Sequence, residues 1–527
     1  MEQIDHKKIG IGLIVGGIVV LVIWGGFKFV SFQKNVAVSL TQSEAAPLAT
    51  PTPDSNAKLI RAQEITNALI KGQTTGQAQG FPDTKGMLVE RRQLLETLLD
   101  ERNPNVLSLV LPATVRSKLP ADQQAEVEKP ITLTATINTI HVDDFENKKG
   151  SFKYELVSGK TRYAYYQIGG DQPILSSSTV KVSGYQLGSK VFSSTDKTAL
   201  KLVTQATTPP ALGPQKILVV LLNYQDSPAV PYTVEQAKTY VFEEQVKQFY
   251  DEASYGQMSW VGDVAPKWYT IPKPSRNQYG SCEFPQFIPD NPADDDVYKL
   301  IKNDVDVTRY GGIVMMINME CMGGGSGTVG KTSMSIGETI YPMSMAWVGT
   351  ATQYFNQQLR HPFPWRYLSF VLSHELGHNL GVVHANSWIC TSGNMYGTCD
   401  HNEYGDPFDV MGSGWYSLHF NSYFKDIFGW TTGRSKTIQT SGTYTLNPLE
   451  SGTGTISARI LNPKLPNGTF YSLEYRQGVG FDASLSATPQ SVNQNGIIVN
   501  WIPKDYSPSV RLLDLNASST NTLAYAL

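Results

Sequence analysis

Cysteine is scarce in this chain and all of it is late: four residues in 527, the first at Cys282. No two are spaced as CxxC, so thiolate pairs do not build a zinc site here. A surplus of one charge sign is missing as well. Lys and Arg number 43 against 46 Asp and Glu, a formal net charge of −3, which leaves no basic excess for nucleic acid. No internal repeat is visible, so a repeat array is excluded. Long apolar runs are absent with one exception, residues 9 to 27. The 41% hydrophobic content over this length suffices for two or three cored units.

The exceptional run, IGIGLIVGGIVVLVIWGGF, carries no charge and has the length a bilayer demands. A cleaved signal peptide has a shorter apolar core with a small-x-small site close behind it, and the only weak candidate is Ala37-Val38-Ser39. The expectation is an uncleaved signal anchor over 1–30, a single-pass transmembrane helix with the catalytic part extracellular at the cell membrane. If the run is cleaved instead, the protein is secreted. Lys7 and Lys8 are nearly balanced by Lys28 and Lys34, so the N-terminus is placed inside on account of the large remainder and its cysteines.

The densest chemistry lies in VLSHELGHNLGVVH, residues 371 to 384, which contains His374-Glu375-x-x-His378-x-x-Gly381-x-x-His384. Residues four apart share a helix face, so His374 and His378 can present imidazoles to one metal with Glu375 beside them. Gly381 permits the sharp turn that returns His384 as a third ligand. Three of the chain's 8 histidines fall within this stretch. Multiplying the chain's own residue frequencies gives a chance match on the order of 10⁻⁵.

These residues resemble the metzincin zinc metalloproteases, and Asp409-Val410-Met411-Gly412 supplies the methionine turn such proteins carry downstream. HELGHNLGVVHA with EYGDPFDVMGSG looks most like the gametolysin-type branch, as does Ser254-Tyr255-Gly256 leading toward Asp263. The likeness covers roughly residues 215 to 430. It implies Zn²⁺ held by His374, His378 and His384, Met411 as an apolar support beneath them, and Glu375 as general base for a zinc-activated water. The chain would then be a membrane-anchored extracellular zinc endopeptidase, a hydrolase acting on protein or peptide. The alternative is a non-catalytic cell-surface binding or adhesion protein on a protease scaffold. Some relatives place a tyrosine near the oxyanion, for which Tyr416 is the candidate. With no cysteine before residue 282, a cysteine-switch prosegment of the matrixin kind is ruled out.

A rival motif precedes it. Gly325 to Thr332, GSGTVGKT, satisfies the phosphate-loop pattern, but no helix pattern begins at Lys331 and no suitably placed magnesium aspartate follows. Residues 322 to 330 are read as a glycine-rich surface loop, and nucleotide is not expected as a ligand. Of the cysteines, Cys390 with Cys399 is the simplest disulfide, bracing the loop after the third histidine, and Cys282 with Cys321 is the other candidate pair.

The sequence pattern divides the chain as follows. Residues 31–57 are a Ser-, Thr- and Pro-bearing linker, and 58–128 are helical, a stalk or a prosegment. Residues 129–204 carry five or so short strands, a small β-barrel-like domain resembling an oligonucleotide- or oligosaccharide-binding fold that serves as a spacer or more. A second linker at 205–215 opens a metzincin-like catalytic domain at 216–430, in which Thr233-Val-Glu-Gln236 is a capping box starting a helix to about Ala253. Strand patterns over 431–527 suggest a C-terminal β-sandwich. The expected class is α+β, with all-β domains flanking the protease.

Overall fold

A computed structural model describes residues 9–14, 18–23, 53–74, 84–145, 147–196, 198–272, 297–318, 324–336, 338–350, 365–390, 399–413, 417–461, 468–486, 496–504 and 508–513. The architecture is mixed α/β, dominated by sheet. Tyr416, Cys282 and Cys321 lie outside the described residues.

Two helices, Pro53–Thr74 and Thr84–Asp100, open the described globular part. Leu59, Ala62, Thr66 and Leu69 recur at helical spacing and are buried, as are Leu88, Arg91, Leu95 and Leu98 of the second helix. The charge at Arg91 is fully buried against Glu128, with nitrogens 2.9 and 3.1 Å from its two carboxylate oxygens, and Arg91 Nε donates to Thr66 Oγ1 at 3.0 Å. Glu128 also accepts from the Leu111 amide. Arg91→Ala strands a buried carboxylate, so the helical unit should lose about 3 kcal/mol. Denaturant unfolding followed by helical circular dichroism reads that loss, and an unchanged midpoint would show that the pair contributes nothing.

Strands Lys129–Asp144, Lys149–Ser158, Thr161–Ile168, Lys190–Ser194 and Ser178–Leu187 close into a ring in that spatial order, since the first pairs with the second and also with the last. Thr161–Ile168 and Lys190–Ser194 are parallel and the other pairings antiparallel. Ala135, Ile137, Leu156, Tyr165, Val180 and Val191 fill the interior. The first strand is far longer than the ring needs. Its far end, still paired with Lys149–Ser158, also joins the strands of the next unit.

That unit begins with Gly213–Tyr224, flanked in parallel by Met258–Ile271 and Gly312–Ile317. The apolar run KILVVLLNY is continuous because both faces are covered. Val219 and Leu221 meet Phe249, Leu372 and Leu376 on one side, while Leu218, Val220 and Leu222 meet Ile313, Met315 and Trp347 on the other. Thr339–Gly349 continues the parallel order, and Gly325–Thr328 pairs with it antiparallel. The outer edge of Gly325–Thr328 is taken by the barrel strand: Ser326 opposes Val142, Gly327 opposes His141 and Thr328 opposes Ile140. One sheet of twelve strands therefore runs through both units.

Several expectations are revised. The glycine-rich stretch is a buried strand over Gly325–Thr328 rather than a surface loop, and another strand, Thr332–Ile336, follows Lys331. The capping box is present, with Gln236 N donating to Thr233 Oγ1 at 3.1 Å, but the helix stops at Phe242 and a separate one spans Gln245–Ala253. Apart from Gly442–Tyr444, the C-terminal strands form a single sheet among the described residues, not a sandwich, and it starts earlier than 431. The hairpin Ala385–Cys390 and Cys399–Asn402, directly after the third histidine, supplies its edge. Over the apolar N-terminal run, Ile9–Ile14 and Ile18–Ile23 pair as antiparallel strands, and Gly442–Tyr444 lies alongside. Isoleucine and valine favour strands and glycine weakens helices, so this composition suits a strand wherever no bilayer enforces internal hydrogen bonding. Among the described residues, no helix is long and apolar enough to cross a membrane.

Candidate metal centre

The helix Trp365–Asn379 lies against Gly325–Thr328 and Thr339–Gly349, with Leu368, Val371, Leu372 and Leu376 buried beneath it. Its polar residues from Ser369 on are buried as well. His374, Glu375 and His378 have no exposed surface, and His384 is 2% exposed. Gly381 carries the chain out of the helix at φ +95°, a conformation that disfavours a side chain. A Cβ there would also meet the Thr208 hydroxyl at 2.5 Å.

Each histidine is fixed through its Nδ1. His374 Nδ1 lies 2.8 Å from the Val410 carbonyl, His378 Nδ1 2.8 Å from the Val382 carbonyl, and His384 Nδ1 3.0 Å from Glu403 Oε1. A proton on Nδ1 leaves Nε2 as a lone pair, which is how proteins prepare imidazole for a metal. The three Nε2 atoms face one point. Met411 packs underneath, since a Cβ on Gly377 would meet its sulfur at 2.4 Å. Asp409 shapes that turn by accepting from the Met411 amide at 2.7 Å and from Asn421. Arg476, buried among Asp482, Glu474 and Glu450, donates to the Phe408 and His419 carbonyls and ties the turn to the C-terminal sheet.

Sequence reasoning missed the residue at the centre. Asp143, from the far end of the barrel strand, puts Oδ1 2.7 Å from His384 Nε2 and 3.5 Å from His374 Nε2, with Oδ2 3.6 Å from His378 Nε2. Beside it His141 lies with Nδ1 3.1 Å from Asp143 Oδ1, its ring stacked 4.6 Å from His378 and set edge-on 4.0 Å from His384. Tyr404 donates its hydroxyl to Asp143, and Glu403 accepts the Gly150 amide of the barrel at 3.0 Å. Glu403 and Tyr404 sat in the stretch that carries the methionine turn, but nothing local marked their role. Among the described residues, Tyr404 is a tyrosine at the site.

Glu375 stands against glycine. A Cβ on Gly325 would fall 2.1 Å from its Oε1 and one on Gly327 3.1 Å from its Oε2, so the strand carries glycine to admit the carboxylate. Burial first, and then the neighbouring charge of Asp143, push its carboxyl well above the usual range. Burial holds His374 down to about 4 and His141 down to about 3, so both are neutral at pH 7. His384 runs the other way: burial alone lowers it, yet Asp143 and Glu403 carry it up to about 9. Asp143 sits well below the ordinary carboxylate range despite its burial, because His141 and His384 stabilise its charge.

Several buried atoms at this point have no well-formed hydrogen bond: His374 Nε2, His378 Nε2, Asp143 Oδ2 and both oxygens of Glu375. Orphaned buried acceptors are costly unless a cation completes them. Two overlapping groups of donors could hold a metal ion, His141 with Asp143, His378 and His384, and Asp143 with His374 and Glu375. Imidazole nitrogen with carboxylate oxygen suits zinc. Farther along, Cys399 is disulfide-bonded and Cys390 is its direct partner across the hairpin that follows His384. No protein-family model matches the chain, and no curated protein matches it.

Proposed function

We propose that the chain is a zinc endopeptidase whose site resembles that of the metzincins, with His374, His378 and His384 as the zinc ligands. The observation that carries this reading is the convergence of three Nε2 atoms, each with its Nδ1 already committed, beside a buried carboxylate that has no well-formed hydrogen bond. When bound, zinc supplies a Lewis acid that polarises a carbonyl and acidifies water to a pKa of about 7.

The protein's own residues would do the rest. Glu375 accepts the proton of the attacking water and returns it to the leaving amine, a role that suits a carboxyl raised by burial. Gly325–Thr328 would offer its outer backbone edge to an extended peptide, which pairs with it as an added strand. Two glycines keep that edge close to Glu375. A disulfide at Cys399 suits an exported enzyme, and the apolar run at residues 9 to 27 would anchor it in the membrane.

The test joins metal content to hydrolysis. A site for a sequence-specific protease is inserted in the exposed linker near Thr207, the chain is cut, and the N-terminal part is removed in mild denaturant. One zinc per chain by elemental analysis, with cleavage of unfolded casein that stops with phenanthroline and returns with zinc, is the expected result. Zinc at full occupancy with no hydrolysis of any peptide would favour a binding protein on this scaffold.

A further inference from the structure

We propose that the N-terminal half is a built-in inhibitor: strand Lys129–Asp144 occupies the edge where a peptide substrate would lie, and Asp143 fills the fourth metal position. This inference rests on the reading of the site as a zinc peptidase and concerns its regulation.

Two independent placements support it. The backbone of Ile140, His141 and Val142 runs antiparallel on Thr328, Gly327 and Ser326, and the pairing extends to Val329, whose amide donates to the Thr139 carbonyl at 2.9 Å. The edge positions from Ser326 to Val329, which an extended peptide would use, are therefore taken by the chain itself. The strand then delivers Asp143 to the three histidines, fully buried, with Oδ1 2.7 Å from His384 Nε2. A catalytic zinc keeps one position open beyond its three protein ligands. A carboxylate in that position excludes water and carbonyl alike.

The surrounding contacts hold the plug rather than merely tolerate it. Tyr404 donates to Asp143, Glu403 links His384 to the Gly150 amide, and His141 lies against two of the ligand rings. None of Glu375, His374 and His378 reaches solvent with the barrel in place. The segment joining barrel to protease, residues 205 to 210, is largely exposed, so it offers a place for a cut that the site itself does not. Once Asp143 withdraws, the Tyr404 hydroxyl is free to donate to the oxygen that replaces it. An activating proteolytic event, followed by release of the strand, is the class of reaction that would switch the enzyme on.

The test compares the intact full chain with Asp143→Ala and Asp143→Asn, each loaded with cobalt in place of zinc. Acetohydroxamate serves as a small probe of the open position, read by the visible cobalt spectrum and needing no turnover. The intact chain should bind the probe at least 100-fold more weakly than either variant, and its own cobalt spectrum should change on substitution. Casein hydrolysis is measured in parallel after a cut in the 205 to 210 linker and removal of the N-terminal part, and should then be at least 100-fold above that of the intact chain, because in the uncut variants the barrel strand still covers the substrate edge. Equal probe affinity in all three proteins overturns the proposal, as does loss of cobalt from both variants, which would make Asp143 part of a permanent closed metal site. Probe binding that opens in the variants, with no hydrolysis by the cut chain freed of its N-terminal part, supports the plug while sinking the peptidase reading. Asp143→Asn keeps the shape of the side chain, so the comparison survives if the alanine variant folds poorly.

Discussion

Glu375→Ala should keep its metal and its fold while peptide hydrolysis falls roughly 10³-fold, the middle of the range for a general acid and base. Measured in the chain cut in the 205 to 210 linker and freed of its N-terminal part, where the substrate edge is expected to be open, the drop corresponds to about 4 kcal/mol of transition-state stabilisation. The surroundings of this residue differ from those of the three histidines, whose Nδ1 atoms are each committed. Glu375 is buried, its carboxylate has no well-formed hydrogen bond, and two glycines of the adjacent strand make room for it. A group kept in so costly a place contributes nothing to folding. Thermal stability should therefore stay level or rise in Glu375→Ala, the opposite of what loss of a structural residue does. Near-native turnover, or a marked fall in Tm alongside lost activity, would remove Glu375 from the chemistry.

The three histidines, Glu375 and Gly381 were legible because a helix converts spacing in sequence into position in space. His374 and His378 need only the helical repeat, and Gly381 only the turn whose positive φ the structure shows. Met411 was legible for a weaker reason, its distance from His384. Asp143 was not legible at all. It stands 241 positions before the histidine it touches, and strand pairing between distant segments leaves no mark in local spacing. The same limit explains the C-terminal sheet. Alternation in the sequence reveals strands over 435 to 513, but not that Ala385–Cys390 will pair with Val510–Leu513.

Gly325 to Thr332 shows the opposite difficulty, a local pattern with a different cause. Glycines in a phosphate loop let backbone approach a phosphate. Here Gly325 and Gly327 let backbone approach the Glu375 carboxylate and the His378 Cβ. The spacing alone does not distinguish the two. The missing helix after Lys331 does, and that much was readable. The N-terminal run is ambiguous for a further reason. Its composition serves either a strand in water or a helix in a bilayer, and the surroundings decide.

Chelation should destabilise the intact chain substantially. A site filled at a free zinc concentration about 1,000 times Kd contributes about 4 kcal/mol to folding, so phenanthroline or EDTA should lower Tm by several degrees and zinc should restore it. The size follows from where the donors come from. His374 and His378 lie on one helix, His384 follows the Gly381 turn, and Asp143 arrives from the barrel strand, so one ion would tie together segments far apart in the chain. His378→Ala should abolish the difference between zinc-loaded and stripped protein, because it removes a ligand whose Nδ1 is otherwise held by Val382. Asp143→Asn should show a smaller difference than the parent chain, since the ion then ties down the catalytic part without the barrel strand. Stripping the intact chain should also open residues 205 to 210 and the strand Lys129–Asp144 to protease attack before the catalytic part unfolds. A melting curve indifferent to chelator and zinc in the parent chain would mean that these histidines hold no metal, and the carboxylate among them would then need an account based on protons alone.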